Sequence, residues 1–257
     1  MRKDVRGAAI STARQWWSQV VHIALVVLLV LVAKSALAEA FYVPSGSMEP
    51  TLLIGDALLA SKFAYGYSTA SLPVQLPLPP SGRLFAATPK RGDIVVFRGP
   101  SDPSMAWVKR VIGLPGDRLA LRDGVVVING VPVTLSADGV GEVEDETGAS
   151  EPARRYVETL PGGMRHPIFK LRERAWFDDM PEVTVPADHV FVMGDNRDDS
   201  ADSRVPVSEG GVGLLPMANL IGRVDAVVGS WDLALRDRPV WSWPSGLRLA
   251  RFFSRVR

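Results

Sequence analysis

A chain of 257 residues, 47% of them hydrophobic, can bury one good-sized core and carry a smaller subdomain beside it. Lys and Arg number 29 against 28 Asp and Glu, so no overall field favours nucleic acid as a partner. Cysteine is absent, which excludes disulfides, thiolate nucleophiles and Cys-based zinc sites, and His22, His166 and His189 are too scattered to build an H-E-x-x-H metal site.

In chain order, Arg2, Lys3, Arg6 and Arg14 precede Trp16 and Trp17, and an apolar run from Val20 to Ala33 follows, with His22 as its one polar member. A basic flank, an aromatic belt and a hydrophobic stretch predict a membrane segment. Counted from Trp16 through Ala38, the stretch reaches the roughly 20 residues that a crossing needs. The alternative is a cleaved secretory signal, because Ala36-Leu37-Ala38 matches a small-residue cleavage site. In both readings the positive charges keep the N-terminus in the cytoplasm and the remainder is carried across.

Beyond Phe41 the periodicity predicts strands at Ala57 to Ala60, Asp93 to Phe97, Trp107 to Ile112 and Val190 to Met193, with no long amphipathic helix between them, so the body reads as mainly β. Asp123-Gly124 and Asn129-Gly130 bracket Val125 to Ile128 and predict two tight hairpin turns. The proline-rich stretch Leu72 to Pro89 and the acidic, glycine-rich stretch Asp138 to Pro152 both read as exposed loops. Near the end, Leu247 to Arg257 read as a helix, with Arg248, Arg251 and Arg255 along one side and Leu249, Phe252, Phe253 and Val256 along the next. That helix either seeks a membrane surface, with Trp241 and Trp243 before it, or packs its apolar face on the body.

Three segments carry candidate chemistry. Phe41 to Leu53 reads F-Y-V-P-S-G-S-M-E-P-T-L-L, with Ser45 and Ser47 flanking Gly46, a combination that on its own is also a common solvated turn. Trp107 to Asp117 reads W-V-K-R-V-I-G-L-P-G-D, and strand alternation puts Lys109 on one face with Trp107 and Val111, Arg110 opposite. A lysine near its ordinary pKa is neutral about one time in a thousand at neutral pH, but burial lowers that pKa by as much as roughly 3 to 5 units and makes a base of it. Met193 to Arg204 reads M-G-D-N-R-D-D-S-A-D-S-R. It is too rich in carboxylates for an ordinary turn, and an EF-hand fails because Ser203 stands at the glycine position, Pro206 lies in the loop and a strand enters it.

Together with K-R-G-D-I-V-V-F at Lys90 to Phe97, these segments resemble, in order, the sequence boxes of the bacterial signal peptidase I family, over Phe41 to Arg223. The resemblance implies a signal-peptidase-like antiparallel β fold with an inserted β subdomain (118–190) and one N-terminal transmembrane helix. Residues 1–40 then form the cytoplasmic N-terminus and anchor, and residues 41–257 the extracytoplasmic catalytic domain at the bacterial inner membrane. It implies a serine endopeptidase that removes signal peptides from exported preproteins at the phospholipid membrane without cofactor or metal. By motif, Ser47 matches the nucleophile and Lys109 the general base; Ser45 and the Ser47 N–H match the oxyanion hole, Ser200 the serine that orients the lysine, and Asp202 and Arg204 a bracing ion pair. Phe41, Val43, Leu52, Leu58, Val96 and Val108 match the walls of the substrate pocket. Asp199, where asparagine is frequent, and V-P-V-S-E-G-G-V-G-L-L-P after Arg204 depart from the family pattern. Asp199 would add negative charge near Lys109 and oppose the lowering of its pKa.

Three rival functions make different demands on the sequence. A Ser-His-Asp hydrolase needs a histidine in a nucleophile motif, and a soluble self-cleaving Ser-Lys repressor needs a DNA-binding helix pair before the β body; the sequence has neither. An inactive membrane-anchored binding module of the same fold predicts a broken dyad, whereas Ser47, Lys109 and Ser200 are all present.

Overall fold

The computed structural model describes residues 4–72, 82–144, 149–236 and 238–256. Arg2, Lys3 and the side chains of Arg6 and Arg14 lie outside the described part, as do residues 73–81 of the expected proline-rich loop.

The chain begins as helix α1 (Asp4–Ala36). Among the described residues no helix is long and apolar enough to cross a membrane. What α1 does show is a run of side chains, residues 15–30, that are all exposed, including Ile23 at 64% and Leu29 at 68%. From Ile23 to Val30 they are apolar around the whole circumference, whereas Gln15, Ser18, Gln19 and His22 put polar groups along one face of the preceding turns.

Eight strands form the main sheet, in the order β1 (Ala38–Tyr42), β2 (Asp56–Ser61), β14 (Leu220–Ser230), β3 (Ile94–Arg98), β4 (Ala106–Gly113), β12 (His189–Met193) and β13 (Leu215–Pro216), with β15 (Ser254–Arg255) beside β14. All the pairings are antiparallel. β3 is apolar without alternation because both of its faces are covered: Ile94 and Val96 enter one core with Val43, Leu52 and Leu58, while Val95 and Phe97 enter another with Val111 and Val192. β12 stitches the layers together. Its Val190 and Val192 join the second core, and Phe191 and Met193 join a third core built with Leu119, Leu121, Val126 and Ile128.

That third core belongs to the chain between β4 and β12. It holds a four-stranded sheet, β11 (Met180–Thr184), β5 (Arg118–Arg122), β6 (Val125–Ile128) and β7 (Val131–Pro132), and a three-stranded arm, β10 (Arg165–Lys170), β9 (Ser150–Thr159) and β8 (Thr134–Glu144). Asp123-Gly124 and Asn129-Gly130 form the two expected turns, each with both residues at positive φ, as a two-residue hairpin of the favoured hand requires.

Two expectations need correction. Asp138 to Pro152 does not form a loop: β8 and β9 pair across it, and only 145–148 fall outside the described residues. The sequence is polar because most of this arm faces water, and Asp138-Gly139 makes a bulge, where the register shifts between Ala137 and Val140 and Gly139 has φ +92°. Nor do Leu247 to Val256, the described part of the expected C-terminal helix Leu247 to Arg257, form a helix. They run as a short 3₁₀ turn followed by β15, because Arg248 and Arg251 are drawn onto the body by the Ile54 carbonyl and the Asp56 carboxylate.

Candidate active site

β1 delivers the chain to Val43, whose N–H donates to the Asp56 carbonyl at 2.9 Å, and residues 46–48 close a 3₁₀ turn beyond it. Val43 and Met48 are buried in the first core and pin the turn at both ends, which leaves Ser45 and Ser47 at the edge of a cleft of about 600 Å³. Across the cleft stand Met105 and, on β4, Ala106 to Lys109. Lys109 is only 5% exposed, and its Nζ donates to Ser47 Oγ at 2.6 Å while lying 5.9 Å from the centre of the Trp107 ring. Burial pushes the Lys109 pKa down to about 8 despite the pull of Asp202 in the other direction; Asp199, at the cleft wall, also works to raise it.

The third wall is the loop after β12. Its Asn196 N–H donates to the Ser47 carbonyl at 3.2 Å, so this loop holds the serine turn by its backbone. Gly194 is required for that approach, because a Cβ there would stand 2.4 Å from the Ser47 carbonyl oxygen and 2.3 Å from Ser200 Oγ. Asp202 and Arg204 form a buried two-point ion pair at 2.8 and 2.9 Å, and Asp202 also accepts from the Gly194 N–H. Ser200 is buried against Gly194, and its Oγ has no hydrogen-bond partner among the described residues, Lys109 included. Of the six expected pocket residues, Val43 and Val108 line the cleft. Leu52, Leu58 and Val96 are fully buried in the core beneath, and Phe41 packs against them.

A buried charge cluster lies under the loop, and reading the sequence did not reveal it. Arg110 makes two bonds to Asp195 at 2.7 and 2.8 Å, and Arg197 makes two to Glu158 at 2.6 Å. The His166 ring lies between the two carboxylates, 3.0 Å from Glu158 and 3.3 Å from Asp195. Burial alone would raise the Asp195 and Glu158 pKa values, but the guanidinium beside each wins and holds both below the usual carboxylate range. The position of Arg110 next to Lys109 was the available signal, since strand alternation sends the two to opposite faces and an arginine facing a core needs a partner.

Glu49 was also missed. It is 2% exposed just past the serine turn, and it accepts the Glu144 N–H at 3.2 Å, tying the β8–β9 arm to that turn across 95 residues of sequence. Burial raises its pKa to about 7. Among the described residues no group of His, Cys, Asp and Glu is placed to hold a metal ion. His22 bonds within its own helix and His189 to the Ala187 carbonyl, so neither serves Ser47.

A buried lysine in contact with a serine at the rim of a cleft is an arrangement in which a serine could be deprotonated without a histidine. The profile of the signal peptidase family, peptidase S26, matches residues 15–231, and the chain belongs to that family, as a serine endopeptidase. Signal peptidase I of Rickettsia akari is 36% identical over 262 residues, covering 94% of this chain and 92% of its own. The Rickettsia canadensis enzyme of the same name is 36% identical over 265 residues, covering 95% and 93%. A crystal structure of a signal peptidase I from Enterococcus faecalis is 27% identical and covers 53% of this chain and 97% of its own, with a TM-score of 0.31.

Proposed function

We propose that the protein is a membrane-anchored signal peptidase that cuts N-terminal signal peptides from exported preproteins with a Ser47–Lys109 dyad. The observation that carries this reading is the 2.6 Å contact between Ser47 Oγ and a buried Lys109 whose pKa lies near 8. About one lysine in ten is then neutral at pH 7, roughly 300 times the population at an ordinary pKa of 10.5. Neutral Lys109 takes the Ser47 proton and Oγ attacks the carbonyl after the −1 residue, while the Ser45 hydroxyl and the Ser47 N–H hold the developing oxyanion. The protonated lysine then returns its proton to the leaving amine, and after that the neutral lysine activates the water that releases the acyl-enzyme. Ser200 orients the lysine once substrate fills the cleft, and the Asp202–Arg204 pair braces the loop that carries it. No cofactor takes part.

The exposed, wholly apolar run Ile23 to Val30 of α1 supports a single crossing of the bacterial inner membrane, with the N-terminus in the cytoplasm and residues 41–257 outside it as the catalytic domain. The sheets between β4 and β12 support reading residues 118–190 as an inserted subdomain. Intact Ser47, Lys109 and Ser200 argue against an inactive binding module.

Val43 and Val108 narrow the cleft, and forcing a large side chain against close-packed walls costs about 1 to 3 kcal/mol or more. Preproteins with Ala, Ser, Val, Leu and Phe at −1 are therefore expected to show kcat/KM falling at least tenfold from Ala to Phe. Val43→Ala should narrow that gap. Equal rates across the series would refute the pocket.

A further inference from the structure

A second hollow, of about 540 Å³, lies away from the cleft, at the end of the main sheet where α1 enters. The register fixes its place. Ala38, the first residue after the handover from α1, sits near Ser61 of β2, and Ser61 pairs with Arg223 of β14. Arg223 is thus two strand spacings, about 10 Å, from where the chain leaves the helix.

The polar wall of the hollow is Lys90, Arg91, Asp93, Arg223, Asp225 and Arg255, four cations against two carboxylates. Asp225 is held by Arg223 and Ser61, and Asp93 by the Tyr65 hydroxyl and the Lys90 N–H. Arg91 is paired with Asp117, outside the hollow. Lys90 and Arg255 are exposed, and among the described residues neither has a carboxylate partner. The floor is apolar, formed by Ile94, Val224 and Val256. Toward the helix, Leu37 and Phe63 are each 57% exposed, and they are neighbours because the Lys62 N–H donates to the Leu37 carbonyl. Two spare cations at the mouth of a hollow, beside an apolar strip that leads back to the anchor, fit an anionic group that carries hydrocarbon.

We infer that this hollow binds the phosphodiester headgroup of an anionic phospholipid, with Lys90 and Arg255 on the phosphate oxygens and the acyl chains running past Phe63 and Leu37. The inference rests on α1 being a membrane anchor. It gives the catalytic domain a second hold on the lipid surface and limits rotation about the α1–β1 junction.

The test is native mass spectrometry of the full-length chain in detergent, titrated with phosphatidylglycerol or phosphatidylcholine. Phosphatidylglycerol is expected to bind at least fivefold more tightly, and Lys90→Gln and Arg255→Gln should each weaken it about fivefold, the size expected for one cation at an anionic lipid. Inorganic phosphate at tens of millimolar is expected not to displace it. Equal binding of the two lipids, an unchanged preference in the double variant, or displacement by inorganic phosphate would each overturn the site. Neither side chain lines the cleft, so preprotein cleavage in detergent should be unchanged in both variants. The anchor has its own readout: release of wild type from membranes by alkaline carbonate, or a soluble form beginning at Glu39, would refute α1 as anchor whatever the lipid titration gives.

Discussion

Ser47→Ala is expected to lower kcat for preprotein cleavage on the order of 10⁴-fold or more while leaving KM close to its original value, because the hydroxyl forms the bond and the cleft walls do the binding. Lys109→Arg should lose about as much, since a guanidinium stays charged at any working pH and cannot accept a proton. The double variant should be scarcely worse than either single one, as groups that act in one step do not contribute additively. Lowering the Lys109 pKa from 10.5 to about 8 costs roughly 3 kcal/mol of unfavourable burial, a cost that a purely structural lysine at this position would have no reason to bear. Single-turnover assays of the three variants measure this. Retention of activity within tenfold of wild type in either single variant would refute the assignment.

The second large effect concerns stability. Asp195 accepts from Arg110 twice, from Thr51 and from the Phe169 strand region through its own backbone, all in the protein interior. Asp195→Asn removes the carboxylate that faces the buried Arg110 guanidinium at two points, and breaking such a pair from one side costs about 3 to 5 kcal/mol. The urea midpoint should fall accordingly. Activity should fall as well, because the same loop presents Asn196 to the Ser47 carbonyl. Replacing Arg110 and Asp195 together by apolar residues of matching volume should restore much of the stability, since neither charge is then left alone. A shift below about 1 kcal/mol for Asp195→Asn would contradict the cluster as the loop's support.

The parts of this fold that were legible in the sequence are those encoded locally. Asp123-Gly124 and Asn129-Gly130 need positive φ and announce their turns, and the alternation from Trp107 to Val111 separates Lys109 from Arg110 without any knowledge of the partner strands. The illegible parts depend on distance along the chain. Glu49 meets Glu144, and Glu158 meets Arg197, across separations that carry no periodic signal. Asp138-Gly139 could equally have been a turn or a bulge, and it was the ten-residue partner strand β9 that decided for the bulge. The C-terminal segment carried a helical pattern, yet Arg248 and Arg251 found carbonyl and carboxylate partners on the body, and those contacts outweigh the weak preference of an isolated helix this short. The pocket residues divide in the same way: which of them face the cleft and which lie one layer deeper depends on how β1, β2 and β3 stack, not on their motif.

The central claim is that a buried, neutral lysine is the base. The pH dependence of kcat/KM, which reports the free enzyme, tests it most directly. The base form is the deprotonated one, so activity should rise about tenfold per pH unit below the Lys109 pKa, bend near pH 8 and level off above it. A profile flat from pH 6 to 10 would contradict the account.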